Sequence, residues 1–285
     1  MKIGLSGIKN MIWALGILVV LLALLVALVF SFSQKHSGER ESGTMVLGET
    51  VRKDAKSKDG VDGGMAYVGQ LNELPSSQKQ GLEYVFGMTF LTDKTLNGLI
   101  SYSANYGDTP ATLWTDDGGG LTAADAADTP IRFVDGSLIT PANAAMISQP
   151  KRLVIYLGAD GLAEATRESF IEGYELLINS IRSNSPSTVV IVCSIASVSN
   201  NYQGSDGLTP AHVRQANEWI RQVCVDTGAL YADLASFLND DNGQLKDEYL
   251  MPDGRSIALA GITAVVDYFR LFPFRFARAR FRPGS

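Results

Sequence analysis

Side chains that could do chemistry stand directly after short apolar runs or turns at three places in the chain. They are Lys94, Asp160, and the pair Asp253 and Ser256. A lysine becomes a nucleophile when desolvation lowers its pKa, and two carboxylates in one cleft can act as acid and base on a glycoside or hold a divalent cation. The same residues can instead form a structural network of ion pairs, which also perturbs pKa values. We favour the ion-pair network as the interpretation of these residues.

A βαβ unit is expected to position Asp160. Residues 152–157 read Arg-Leu-Val-Ile-Tyr-Leu, a run too short for a helix, which indicates a strand buried on both faces of a parallel sheet. Apolar residues recur on one face over 168–182, which predicts a crossover helix, and 188–195 predicts the next strand. Ligands bind just beyond the carboxyl ends of such strands. Gly158, Asp160 and the loop after the second strand therefore mark the expected edge of a site.

The remaining segments alternate between strand and helix in the same way. Strands are predicted at 89–91, 111–114 and 229–232, a small hairpin around 131–134, and helices at 96–102, 141–148, 210–225 and 257–271. This alternation indicates an α/β fold, a three-layer α/β/α sandwich with a mostly parallel sheet.

The amino-terminal part of the chain differs from the rest in composition. Residues 11–32 contain no charge and would form a helix about 33 Å long at roughly 1.5 Å per residue, enough to span a bilayer. Lysines precede this segment, so we expect residues 1–10 in the cytoplasm and the rest of the chain outside. No small-x-small cleavage site follows this segment. This favours an uncleaved signal anchor over the alternative, a cleaved secretory signal. Residues 33–77, rich in Gly, Ser and charges of both signs, predict a flexible tether.

The folded domain is predicted over 78–273, followed by a tail at 274–285 in which aromatic or small residues alternate with arginine. The tail could contact anionic lipid or wall polymer, or it could be a frayed terminus. A net charge of −6 argues against nucleic acid as a partner. Cysteines and histidines are not clustered at metal-binding spacings, so we predict no metal and no cofactor. Cys193 and Cys224 could form a disulfide or remain two buried thiols.

Several motifs resemble, in order and spacing, those of one enzyme family. They are Leu-Val-Ile-Tyr-Leu-Gly at 153–158, Asn-Glu-Trp-Ile at 217–220, Leu-Tyr-Ala-Asp at 230–233, Asn-Gly-x-Leu at 242–245 and Asp-Gly at 253–254. With these motifs the segment from about Leu82 to Phe272 resembles the SGNH (GDSL-type) hydrolases, specifically the anchored extracellular members of Gram-positive bacteria. The resemblance implies a flavodoxin-like sheet and ester hydrolysis by a nucleophilic serine. It also implies an oxyanion hole with backbone and asparagine donors, and a histidine three residues after an aspartate.

The catalytic positions implied by this resemblance carry other residues here. The Gly-Asp-Ser block aligns with Thr92-Asp93-Lys94, so a lysine stands where the serine is expected. Gly119 is the glycine of the second block. Asp160 replaces the asparagine, which turns an oxyanion donor into a negatively charged acceptor. The segment 253–256 reads Asp-Gly-Arg-Ser in place of Asp-Gly-x-His, so the general base is missing.

These departures predict a catalytically degenerate protein. The two histidines cannot substitute, because His36 lies in the tether and His212 at the start of a helix. Loss of the nucleophile or base of such a triad costs about a million-fold in rate. We therefore expect a membrane-tethered extracellular protein that binds or scaffolds, with wall polysaccharide or an envelope protein as its partner.

Two alternatives remain open at this stage. One is an active esterase or deacetylase of acetylated envelope carbohydrate, and the other is an enzyme that uses Asp160 and Asp253 as its carboxylate pair. We further expect the ammonium of Lys94 to lie where a substrate carbonyl would sit and to pair with one or both of these carboxylates. The expected cleft is lined by Thr92, Asp93, Gly119 and Gly158.

Overall fold

A computed structural model describes residues 70–107, 111–116, 118, 120–157 and 159–274. The predicted span at 11–32, nearly all of the predicted tether, and residues 275–285 of the tail lie outside these ranges. Within them, every helix is too short or too polar to cross a bilayer.

Five parallel strands form the central sheet of the described part of the chain. They are β1 (Thr89–Thr92), β2 (Thr112–Trp114), β5 (Arg152–Tyr156), β6 (Val189–Cys193) and β7 (Leu230–Ala232), while β3 (Ile131–Arg132) and β4 (Leu138–Ile139) form a small antiparallel hairpin. The order in the sheet is β2-β1-β5-β6-β7. Since all five strands run the same way, their carboxyl ends share one edge.

Helices connect the strands and cover the sheet. They are α1 (Leu82–Phe86), α2 (Gly98–Tyr106), α3 (Pro141–Ser148), α4 (Arg167–Asn184), α5 (Pro210–Thr227), α6 (Leu234–Leu238) and α7 (Leu259–Leu271), with short 3-10 helices at Lys94–Leu96, Leu162–Glu164 and Asp247–Tyr249. The helix α2 packs against α7, while α3, α4 and α5 pack side by side. The direction of travel through the sheet reverses after β2, so right-handed crossovers place these two groups on opposite faces. The predicted α/β fold with a mostly parallel sheet is confirmed.

The strands form where they do because their residues are apolar on both faces. All four residues of β1 are buried, as are the last four of β5 and of β6. The helix α4 packs one apolar face on the sheet, and its Phe170 ring lies 5.3 Å from that of Trp219 on α5. A Cβ at Gly173 of α4 would lie 2.5 Å from the carbonyl oxygen of Ala123, so only glycine permits this contact.

The sequence predicted the bounds of most helices and strands to within a few residues. The main difference between prediction and structure is where the folded domain begins. Residues at the end of the predicted tether contact the domain: Leu74 is buried, and its N–H donates to the carbonyl of Tyr231 at 2.9 Å. This contact covers part of the edge strand β7. Cys193 and Cys224 are both buried and free.

Candidate functional site

The candidate site lies where the strand order reverses, at the carboxyl ends of β1 and β5. Such a switch point leaves a crevice between the loops that leave the sheet on opposite faces. Asp93 follows β1 directly, and Asp160 lies four residues after the last residue of β5. The fold therefore brings Asp93, which belongs to the segment aligned with the Gly-Asp-Ser block, and Asp160 to the same edge, as the sequence predicted.

Asp93 is a buried carboxyl group with one oxygen bonded and one oxygen unpartnered. Its Oδ1 accepts from the N–H of Thr95 at 2.9 Å and caps the 3-10 helix, whereas Oδ2 has no hydrogen-bond partner among the described residues. The pKa of Asp93 is raised to about 6, chiefly by burial and in smaller part by the charge of Asp160, while the Thr95 hydrogen bonds and Arg255 oppose the shift. Asp93 is therefore a mixture of neutral and ionised forms near pH 6.

Arg255 lies between two carboxylates in the crevice. Its guanidinium forms ion pairs with Asp160 Oδ1 and, at 2.5 Å, with Asp206 Oδ2. The hydroxyl of Tyr202 donates to the same Asp206 oxygen at 3.0 Å. Burial alone would lower the pKa of Arg255, but hydrogen bonds and the charges of Asp160 and Asp206 hold it above its usual range. We call the group Asp160, Arg255 and Asp206 the Arg255 clasp.

The ion pairs of the clasp connect three loops at the carboxyl edge of the sheet. Asp160 belongs to the loop after β5, Asp206 to the loop between β6 and α5, and Arg255 to the turn before α7. A backbone hydrogen bond from Ser199 to Gly254, at 2.9 Å, reinforces the link between the last two loops. Gly254 has a φ of 76°, which glycine adopts without strain and which lets the turn present Arg255 to both carboxylates.

Asp253 and Ser256 form a local turn. The carboxylate of Asp253 accepts from the N–H groups of Arg255 and Ser256 at 2.9 and 2.8 Å, and from the Ser256 hydroxyl at 2.5 Å. Burial acts to raise the pKa of Asp253, but these hydrogen bonds and Arg255 outweigh it and lower the pKa. The hydroxyl of Ser256 thus stabilises an ionised carboxylate, which is a poor general base at neutral pH.

Lys94 is exposed, and its ammonium donates only a long contact of 3.5 Å to the carbonyl of Gly118. It forms no ion pair with a described residue. The expected pairing of Lys94 with Asp160 or Asp253 is therefore wrong: Arg255 takes Asp160, and Asp253 is bonded within its own turn. An exposed ammonium keeps its hydration, which a position inside the crevice would remove. Of the other residues expected to line the cleft, Thr92 is buried. Gly119 and Gly158 lie outside the described residues.

The partner of Asp160 was not predicted from the sequence. The signal was present, because the asparagine-to-aspartate replacement at 160 and an arginine at 255 are opposite charges placed in two blocks of one site. Asp206 and Tyr202 carried no comparable signal, since their loop matches none of the motifs.

Neither a catalytic dyad nor a metal centre is visible in the described part of the chain. His212 lies in the first turn of α5, and its Nδ1 is buried without a hydrogen-bond partner there. No group of three or more His, Cys, Asp and Glu residues in the described ranges could hold a metal ion.

A cavity of about 240 Å³ opens beside the clasp. Asp160 forms one wall, Leu162 and Phe170 contribute apolar surface, and Asp125 and Glu164 add two further carboxylates. The cavity is therefore continuous with the clasp through a shared carboxylate.

Comparison with known proteins places this geometry in a family. The model of the GDSL-like Lipase/Acylhydrolase family matches residues 101–257. This range includes Asp160 and the segment 253–256 but begins after Lys94. A search of curated proteins gave no match.

Solved structures of low sequence identity share the fold. A protein named as a platelet activating factor, from Streptococcus pneumonia, is 16% identical with a TM-score of 0.50, over 65% of this chain and 82% of that one. An acetyl-xylooligosaccharide esterase from Geobacillus Stearmophilus is 15% identical with a TM-score of 0.42, over 68% of this chain and 96% of that one. A carbohydrate esterase family 3 protein from Talaromyces cellulolyticus is 16% identical with a TM-score of 0.45, over 64% and 93%. At 16% identity the likeness to the first of these structures concerns the fold alone.

Proposed function

The chain belongs to the GDSL-like lipase/acylhydrolase family, and from this premise we propose that it is a member without hydrolytic activity that acts by binding at the cell envelope. The observation that carries the proposal is the Arg255 clasp. In the crevice where family chemistry needs a nucleophile, a base and oxyanion donors, the chain places a guanidinium held by two carboxylates.

Arg255, Asp160 and Lys94 each oppose ester hydrolysis. An arginine guanidinium does not lose its proton in a protein, so Arg255 cannot act as a general base. A carboxylate at position 160 would repel the negative charge that develops on a carbonyl oxygen in the transition state. Lys94, at the serine position, is exposed and lacks the desolvated surroundings that would make an amine nucleophilic at neutral pH.

Neither alternative enzyme gains support from the geometry. An active esterase would need an effective base within reach of a serine, and the carboxylate that accepts from the Ser256 hydroxyl, Asp253, has a lowered pKa that makes it a poor base at neutral pH. An enzyme using Asp160 and Asp253 would need two carboxylates free to exchange protons, but each is bound to its own partners.

The location is proposed from the sequence. The uncharged segment 11–32 and the lysines before it support a single membrane span with the domain outside the cell. A domain held there meets wall polysaccharide and envelope proteins, which we propose as its partners.

The purified protein is expected to hydrolyse p-nitrophenyl acetate no faster than buffer and to remain unlabelled by a fluorophosphonate. The Lys94→Ser variant should stay inactive because position 256 still lacks a base. The triple variant Lys94→Ser, Asp160→Asn, Ser256→His restores the family residues and serves as the matched comparison. Trace activity in this variant would indicate that the three replacements account for the missing activity. Labelling of the native chain that disappears in a single Ser→Ala variant would identify a working nucleophile and refute the proposal.

Protease added to intact cells is expected to cut between residues 33 and 69 and to release a folded domain. The reason is that this polar segment would connect the anchor to a domain outside the membrane. Immunoblotting of the medium and of the cells measures the release, and a cytoplasmic protein serves as the control for lysis. Cleavage that occurs only after the cells are broken would place the domain inside.

A further inference from the structure

Exposed apolar side chains lie close to a lysine at the amino edge of the sheet, where the five strands begin, opposite the crevice. The last turn of α3 ends just before β5, and its Met146 and Ile147 are 51% and 60% exposed. Lys151, between α3 and β5, is exposed as well. Tyr106 ends α2, which returns the chain from β1 to the start of β2, and is 59% exposed at the same edge. A surface that combines exposed apolar and basic side chains is typical of proteins that lie on an anionic membrane.

Basic side chains outnumber acidic ones in the described part of this edge. Asp267, one of the acidic residues, is neutralised because it pairs with Lys79 at 2.9 Å and with Arg270 at 3.0 Å. The carboxyl edge has the opposite balance, since several carboxylates surround Arg255 there. The basic residues of the amino edge are Lys79, Lys151, Arg152, Arg182 and Arg270, and the acidic ones are Glu83, Asp226 and Asp267.

The carboxyl-terminal tail starts from the same edge. Phe274, the last described residue, packs against the core, and its carbonyl accepts from the hydroxyl of Tyr84 at 3.1 Å. The guanidinium of Arg152 lies over the Tyr84 ring, 4.1 Å from its centre. The residues that follow, 275–285, include four arginines and two phenylalanines and no acidic residue. The tail therefore begins where the described surface is already basic and apolar.

The amino-terminal end of the described chain reaches the domain from this edge too. Residues 72–74 run parallel to β7, and the N–H of Leu74 donates to the carbonyl of Tyr231 at 2.9 Å. Since β7 runs from the amino edge to the carboxyl edge, the residues before this segment lie toward the amino edge. Ser77 then donates its N–H to the carbonyl of Leu271, the last residue of α7, at 2.7 Å. Both ends of the described chain are thus held at one edge of the sheet.

We propose that the amino edge of the domain, together with the basic tail, docks on an anionic lipid surface. The lysines and arginines gain from the negative surface potential, while the exposed apolar side chains enter the headgroup region. A soluble polyanion would satisfy the charges but would offer no apolar phase to Met146 and Ile147, so the mixed surface favours lipid. Docking directs the opposite edge, with the Arg255 clasp, away from the lipid. The inference goes beyond the proposed function and does not depend on whether the chain hydrolyses esters.

The test compares two labelled positions at opposite ends of β6. Ser187→Cys places a fluorophore just before the strand, at the amino edge, and Asn201→Cys places one in the exposed loop beyond its carboxyl end. Cys193 and Cys224 are buried, so the added thiol is the one that reacts. The full chain is reconstituted in nanodiscs, and quenching by spin-labelled lipid headgroups measures the approach of each label to the lipid.

Phosphatidylglycerol nanodiscs at low salt should quench the label at position 187 and leave the label at position 201 largely unquenched. This contrast should be lost in phosphatidylcholine nanodiscs, which carry no net charge, and at about 0.5 M salt, where screening removes the attraction.

Charge variants at the two edges provide the matched comparison. Lys151→Gln and Arg280→Gln should each lower the ratio of docked to undocked chain about fivefold, because each basic residue near an anionic surface contributes about that factor. Arg214→Gln, the same change at an exposed position near the start of α5, should leave the ratio unchanged, since this helix begins at the carboxyl edge. Ile147→Ser, which removes an exposed apolar side chain without changing the charge, should lower the ratio several-fold.

Equal quenching at positions 187 and 201, or the same quenching in the two lipids, would overturn the inference. A loss of docking in Lys151→Gln with none in Ile147→Ser would assign this edge to a polyanion in place of lipid and would overturn it as well. The measurement involves no ester, so an active esterase would refute the proposed function and leave this result standing.

Discussion

Replacing Arg255 with glutamine is expected to lower the free energy of unfolding by about 2 to 3 kcal/mol. The change leaves Asp160 and Asp206 as neighbouring carboxylates without their cation. Removal of one partner of a fully buried pair costs about 3 to 5 kcal/mol, and the figure here is smaller because water reaches the side chains, which are 19 to 29% exposed. Urea unfolding of the full chain in nanodiscs, followed by near-ultraviolet circular dichroism, measures the loss.

A double-mutant cycle assigns that loss to the clasp. The variant that combines Arg255→Gln with Asp160→Asn should recover about 1 kcal/mol or more of the stability, because the uncompensated carboxylate is gone. Lys94→Gln is the matched control, since it removes an exposed cation near the same crevice and should cost less than about 0.5 kcal/mol. A coupling between positions 160 and 255 below about 0.5 kcal/mol would mean that the ion pair does not stabilise the folded state.

The fold was predictable from the sequence because its signals are local. The run of apolar residues in β5 and the apolar face of α4 each lie within a single element, so periodicity shows them directly. Pro141 marks the start of α3 in the same way, and in the structure the side chain of Thr140 caps the helix there. Leu74 was missed because two apolar residues, Leu71 and Leu74, are too few to show a period in a polar stretch. The burial of Leu74 also depends on the distant strand β7.

The contacts of the site were less predictable because they join residues far apart in sequence. Alignment of the blocks brought Asp93 and Asp160 to one edge, as the parallel sheet requires. Which cation would reach Asp160 depended instead on loop geometry. Arg255 lies 95 positions from Asp160 and 49 from Asp206, on loops without regular structure. The sequence predicted an ion pair at Asp160 and named the wrong cation, Lys94 in place of Arg255.

Replacing Asp93 with asparagine is expected to stabilise the protein at neutral pH by up to about 3 kcal/mol and to have little effect near pH 4. The pKa of Asp93 is about 6 in the folded state, above its ordinary value of 3.8, because the group is buried. The folded state therefore favours the protonated form. This contribution to stability is fully present below pH 3.8 and is lost as the pH rises from 3.8 to 6. A difference of about two units corresponds to about 3 kcal/mol.

Asparagine keeps the part of Asp93 that the fold uses, since its side-chain oxygen can still accept from Thr95 and cap the 3-10 helix. It removes the cost of ionising a buried carboxyl, so the advantage of Asp93→Asn should grow between pH 4 and pH 7. Unfolding curves at several pH values measure this trend. Asp135→Asn is the control with the opposite sign, because hydrogen bonds from Ser137 lower the pKa of that exposed carboxylate. A stability difference at position 93 that does not change with pH would show that Asp93 ionises as it does in water, and its carboxyl would then not be shielded from solvent.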